Sequence, residues 1–169
     1  FRLLGIQPAL GRALTPDDDR PGAPRVVVLS NRIWVRDFGS SPSALGQTLL
    51  IHGQPYTIVG VMPPRFTGMV PMLQPEMWLP LAWVEEVEPA GIQDVVPSPT
   101  GTTRLDRRGQ RWLFVKGRLK DGESAERAQA NLTLLMEQLA KTYPTTNQKR
   151  PVKVALVASQ TALTVACPP

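Results

Sequence analysis

QTLLIHGQPYTIVGVMPP, residues 47–64, is the stretch on which the fold turns. Residues 48–52 and 56–61 are two runs rich in β-branched and aromatic side chains. Gly53-Gln54 separates them, and Gly at the first central position suits a two-residue type II′ turn. Pro55 has no N–H and is expected at the strand start, outside the ladder. Gly60 falls inside the second run, where a bulge or a close backbone approach is the usual meaning. Pro63-Pro64 ends the strand. Leu49 and Ile51 point to one face and Leu50 to the other, which predicts at least partial cover on both sides.

Working outward toward the N-terminus, Val26 to Leu29 is a continuous apolar run, the pattern of a strand buried on both faces. Ser30 offers an N-cap for a short helix over residues 31–38, which Gly39 ends. Trp34 and Phe38, four residues apart, share the helix face that packs back onto the strand. Ser41-Pro42 repeats the cap-plus-proline start for a further turn. Thr15-Pro16 does the same ahead of Asp17-Asp18-Asp19. Phe1 to Leu4 reads as the tail of an element whose start lies upstream.

Toward the C-terminus, residues 65–75 are irregular, and the Met77 to Leu81 segment is an edge strand because of Pro80. Periodicity disappears over residues 85–110, which read as a long mobile loop. It returns in an alternating strand over residues 111–119. Ser124 then caps a helix in which Ala125, Ala128, Leu132, Leu135 and Leu139 form the inward stripe. Lys141 sits in its last turn and Pro144 blocks extension. A strand over residues 151–158 follows, so strand, helix and strand form a βαβ-like unit, with a right-handed crossover if the two strands are parallel neighbours. The fold class is α+β: a strand-rich lobe plus a βαβ half, with mixed sheets.

The chain has 169 residues, 42% of them hydrophobic and 20% charged, enough for one ordinary domain or two small ones with a core that needs no staples. Its 18 prolines predict a loop-rich fold. No run approaches the roughly 20 apolar residues of a membrane span. The net charge of +5 comes mostly from dispersed Arg. The densest basic group is Arg104, Arg107, Arg108 and Arg111, followed by Lys116, Arg118 and Lys120. Without aromatic residues interleaved as a stacking platform, it reads as a solvated face and not a nucleic-acid interface. A single cysteine, Cys167, excludes an internal disulfide and a cysteine metal cage.

Residues with chemical potential read better as structural ones. His52 is the only histidine and lies at a strand end beside a turn, so it reads as a surface residue and not a ligand or base. Asp17, Asp18 and Asp19 lack calcium-loop spacing and read as a helix-start cluster. Glu85, Glu86 and Glu88 read as a solvated acidic loop and not paired catalytic carboxylates. Ser30 and Ser124 are caps and not nucleophiles. Gly5, Gly11 and Gly22 match no nucleotide-binding pattern. Met62, Met69, Met72 and Met77 either line an apolar groove or fill core gaps, the second being commoner. The inventory names no catalytic, cofactor-binding or metal-ligating residue and argues against an enzyme.

Taken in order, FRLLGIQPALGRALTPDD, RVVVLSNRIWVRDFGSSPSALGQTLLIHGQPYTIVGVMPPRFTG, MWLPL and FVKGRLKDGESAERAQANL, with Tyr143-Pro144 after it, resemble the extracytoplasmic core domain of MacB-type and FtsX-like ABC transporter permeases. The resemblance reaches from Phe1 to about Ala158, and residues 159–169 carry none. It implies a domain between the first and second transmembrane helices, on the periplasmic side of the inner membrane. Residues 1–84 would be the strand-rich inserted lobe, 85–110 the long loop, 111–158 the second porter-like βαβ half and 159–169 an unassigned tail. The first porter half would lie before Phe1, leaving apolar surface on its partner uncovered. The resemblance also implies no catalytic residue and no cofactor here. It implies a cognate ABC ATPase as partner, a permease homodimer, an adaptor or outer-membrane channel, and a membrane reached through helices outside this sequence. Export driven by transmitted motion is the function expected. The alternative is a regulatory permease domain that senses a peptide or activates a cell-wall hydrolase. A soluble binding module or enzyme is the third possibility.

Overall fold

A computed structural model describes residues 1–69, 73–87, 113, 115–148, 151–157 and 162–166. The chain forms two compact units, Phe1–Val95 and Val96–Pro169. The first contains strands β1 (Leu10–Gly11), β2 (Val26–Leu29), β3 (Thr48–Ile51), β4 (Gln54–Val61) and β5 (Met77–Trp78), with helix α1 (Asn31–Phe38). The second contains β6 (Val115–Arg118), α2 (Ala125–Thr142), α3 (Pro144–Asn147), β7 (Lys153–Val157) and β8 (Ala162–Ala166). The fold is α+β.

In the first unit the sheet order is β1-β4-β2-β5, and β3 joins the N-terminal half of β4. The sheet is mixed. β2 and β4 run parallel, while β1 and β3 are antiparallel to β4, and β5 is antiparallel to β2. All four residues of β2 are buried, as its unbroken apolar run demands. Val27 and Leu29 enter one cluster with Ile33, Ile51, Tyr56, Ile58 and Val61. Val28 enters a second with Met62 and Phe66 on the other face. Phe1 stands edge-on to Phe66 and Trp78, with ring centroids 5.7 Å away in both cases, and so closes the second cluster.

The hairpin is present but its turn differs from the expectation. Ile51 pairs with Gln54 and Leu50 with Pro55, so the central residues are His52-Gly53 and not Gly53-Gln54. His52 has φ 48° and Gly53 φ 78°, which makes the turn type I′. Pro55 supplies the reason. A turn centred on Gly53-Gln54 would place Pro55 at the flanking hydrogen-bonded pair, where its N–H would be required. In the observed register Pro55 lies inside the ladder at a non-hydrogen-bonded pair, one step from the turn. Leu50, opposite it, is 70% exposed, so the outer face of the hairpin tip is bare and not covered as expected. Gly53→Val is expected to lower the stability of this unit by about 2 kcal/mol, because a β-branched residue disfavours positive φ. Chemical denaturation of the two proteins checks this, and equal stability would overturn the turn assignment.

Gly60 marks both features expected of it. The β2–β4 register shifts between Val27 and Val28: Val27 lies opposite Ile58, but Val28 opposite Gly60. The extra residue puts Ile58 and Val61, three apart, into the same cluster. A Cβ on Gly60 would overlap the Arg12 carbonyl oxygen. Its cross-strand partner Gly11, at φ 69°, is equally confined, since a Cβ there would overlap the Val59 carbonyl oxygen. β1 and β4 can cross at this distance only as a glycine pair.

In the second unit the sheet order is β6-β8-β7, antiparallel throughout. β6 and β7 are parallel to each other but are not neighbours, because β8 lies between them. β6, α2 and β7 keep the strand–helix–strand order, but the crossover expected of parallel neighbours does not apply, and β8 falls in the tail left unassigned. The physical reason is local: β7 and β8 are close in sequence and pair antiparallel, a pairing that forms more readily than a crossover to β6. α2 starts at Ser124, whose Oγ accepts from Arg127 N at 3.2 Å, and stops before Pro144, which opens α3. Gln129 ties the helix to β7: its amide nitrogen donates to Val152 O at 2.8 Å and its oxygen accepts from Val154 N at 2.7 Å. The inward stripe holds Ala125, Ala128, Leu132, Met136 and Leu139, all half-buried. Leu135, expected in it, is 47% exposed. Among the residues of this unit up to residue 155 whose burial is described, none is buried.

Candidate functional site

The polar side chains of the first unit are consumed in holding irregular segments to the sheet. The acidic triplet sends each carboxylate to a different partner. Asp17 pairs with Arg20 at 2.6 Å. Asp19 accepts from the Ala82 N–H at 2.7 Å. Asp18, 6% exposed, receives both guanidinium nitrogens of Arg12 at 2.7 and 2.8 Å. It also accepts from the Thr15 N–H at 2.7 Å and the Thr15 hydroxyl at 2.9 Å. The Arg12 guanidinium, opposed by burial and assisted by Thr15, holds the Asp18 carboxyl down at about 2. The triplet therefore builds the 3₁₀ turn Pro16–Asp19 and its attachments, as the cap pattern predicted, and its three carboxylates do not converge.

A second knot gathers residues far apart in sequence. Arg25, just ahead of β2, donates from Nε and Nη2 to Glu86 at 2.7 Å each. The Tyr56 hydroxyl donates to the same carboxylate at 3.4 Å. The Arg25 guanidinium lies 4.7 Å from the centre of the Trp83 ring. Arg25 holds the Glu86 carboxyl below its usual range. Burial, with Glu86 adding to it, pushes the Tyr56 hydroxyl up. Glu86 was expected in a solvated loop. It instead belongs to the folded unit, with Val84 buried beside it and Val87 packed on the first cluster. Of the loop expected over residues 85–110, residues 85–87 belong to the folded unit and the rest lies outside the described residues. Nothing in the local pattern announced this knot, because Arg25 and Glu86 are 61 residues apart.

A third group lies on α1. Arg32 and Arg36 share Glu76 at 2.9 and 3.0 Å, and Arg36 also grips Asp37. Exposed pairs of this kind add little stability.

The remaining candidates separate in space. Ser30 Oγ accepts from Ile33 N at 3.3 Å, so it caps α1. His52 is exposed at the hairpin tip. Met62 is buried in the second cluster, Met77 packs on the first, and Met69 is 46% exposed, so these three line no common groove. Lys116 is half-buried, and Arg118 and Lys120 are exposed. Met72, Glu88, Arg104, Arg107, Arg108, Arg111 and Cys167 lie outside the described residues. Among the described residues no cluster of His, Cys, Asp and Glu could hold a metal ion, and no helix is long and apolar enough to cross a membrane. What the arrangement can do is mechanical: it fastens irregular segments to a two-faced sheet.

Comparison with known proteins agrees with the order of the segments. Residues 1–135 match the model of the MacB-like periplasmic core domain. The Macrolide export ATP-binding/permease protein MacB of Burkholderia pseudomallei is 29% identical over 139 residues, which is 82% of this chain and 18% of that protein. The protein of the same name from Burkholderia thailandensis matches to the same extent. The chain thus spans less than a fifth of the length of these relatives. No solved structure gives a significant match.

Proposed function

Because the chain belongs to the family of MacB-like periplasmic core domains, we propose that it is the extracytoplasmic part of an ABC transporter permease that passes ATP-driven motion of transmembrane helices outward to expel a substrate. The observation that carries the reading is the family match across the entire strand-rich unit, residues 1–87, and on through β6 into α2. The build of that unit supports it. A sheet whose central strand is buried on both faces, crossed by a glycine pair and fastened by internal ion pairs, moves as one body in a hinge or shear motion. ATP binding and hydrolysis belong to a cognate ABC ATPase, as a separate domain or subunit. A homodimer of permeases, an inner-membrane location and an adaptor or outer-membrane channel complete the assembly proposed. The names of the relatives make a macrolide the first cargo to assay.

Accessibility labelling tests the location. In the full-length protein, with Cys167→Ser in place, His52→Cys puts a thiol on the exposed hairpin tip. A membrane-impermeant maleimide is expected to label it in cells whose outer membrane alone is permeabilised. Labelling only after the inner membrane is broken would overturn the reading.

A further inference from the structure

We propose that residues 80–87 form a strap that opens as a unit while the sheet beneath it stays folded, with the Arg25–Glu86 pair as its latch. The backbone hydrogen bonds of Trp83, Val84, Glu86 and Val87 all close within the strap, onto Pro80, Leu81 and Trp83 carbonyls at 3.0 to 3.3 Å. Among its polar ties to the rest of the unit, these run through side chains: the two Arg25–Glu86 bonds, the longer Tyr56 bond, and the carboxylate of Asp19, in the 3₁₀ turn, on Ala82 N. Arg25 grips the strap twice, by its charge on Glu86 and by its stacking over Trp83. Losing this one side chain therefore removes both contacts together.

The sheet is held differently. β2, buried on both faces, shares a ladder with β4, and the Arg25 carbonyl accepts from Thr57 N at 2.9 Å whatever side chain Arg25 carries. Elements fastened by few, solvent-accessible contacts open at lower free energy than the core they rest on. One further feature favours opening. The Trp83 indole Nε1 is buried without a hydrogen-bond partner among the described residues, and lifting the strap restores it to water. Opening uncovers the part of the first cluster on which Trp83 and Val87 rest.

Hydrogen exchange on the full chain tests the opening without reference to transport. The strap reporters are the Ala82 amide, whose bond to the Asp19 carboxylate breaks when the strap lifts, and the Val84, Glu86 and Val87 amides, whose short turn frays once it is undocked; the sheet reporters are the amides of Thr57, Ile58 and Met62. In Arg25→Ala and in the isosteric Glu86→Gln, exchange at the strap amides is expected to rise about tenfold or more, while the sheet amides keep their rates. Joining Arg25→Glu with Glu86→Arg is expected to return the strap most of the way to its original rate. The proposal is overturned if the single variants leave the strap amides unchanged. It is equally overturned if the sheet amides accelerate by the same factor, because the strap would then be part of one cooperative unit.

Discussion

Gly60→Ala is expected to lower the stability of the strand-rich unit by about 3 kcal/mol, at the upper end of what one added methyl costs in a packed site. The added Cβ would occupy the position of the Arg12 carbonyl oxygen, and that atom is backbone. It cannot rotate away as a side chain would. Relief requires β1 to separate from β4, which breaks the Ala9 N to Val61 O and Arg12 N to Val59 O bonds, each 2.8 Å long. It also displaces Arg12, the residue that grips Asp18. In thermal unfolding of the full chain the first transition should fall by roughly 15 °C, given the small size of the unit. Gly117→Ala is the control. That glycine has open space where its Cβ would stand and no positive φ, so the variant should stay within about 0.5 kcal/mol of the original protein. A Gly60→Ala protein as stable as the control would mean that the two strands do not cross as described.

Asp18→Asn is expected to cost about 2 kcal/mol at neutral pH, and the cost should fade in acid. Asn keeps the size and can still accept from Thr15, but it presents an amide to Arg12 and carries no charge. The Asp18 carboxyl titrates at about 2 in the folded chain, below its ordinary value near 3.8. A depressed carboxylate contributes stability above its unfolded pKa and loses it as pH falls through the folded one. The full difference between original and variant should therefore be present above about pH 5, shrink below pH 4 and be mostly gone near pH 2. Arg12 is half-exposed, so solvent screening sets the figure toward the lower side of what the titration shift implies. Denaturant midpoints measured across this range check the prediction, and a stability difference independent of pH would place the cost in packing and not in the charge.

The parts of the fold written in local sequence were legible, and those that depend on distant partners were not. Ser30 and Gly39 bracket α1 as their cap chemistry requires, and Gly60 announced its bulge. The hairpin was clear but its register was not. Both turns, the one centred on Gly53-Gln54 and the one on His52-Gly53, put Leu49, Ile51, Tyr56 and Ile58 on one face, so hydrophobic pattern could not choose between them. Pro55 could have: its missing N–H excludes the first register. In α2 the expected stripe took Leu135 where the structure turns Met136 inward; both lie three or four residues from Leu132 and Leu139, so spacing alone does not separate them. ALTVA at Ala162–Ala166 has the β-branched character of a strand, yet only the completed sheet places it between β6 and β7. The Arg25–Glu86 knot joins residues 61 apart, and a charge run such as Glu85-Glu86 reads as solvated until the partner is seen.

Paired assays of ATP hydrolysis and substrate export test the central claim most directly. They are made on the full-length transporter carrying Gly60→Ala, reconstituted with its ATPase at a temperature where limited proteolysis finds the strand-rich unit folded in the original protein and open in the variant. If this unit transmits motion and performs no chemistry, the variant should hydrolyse ATP at a rate close to the original while export falls to background. Undiminished export with the unit open would contradict the account.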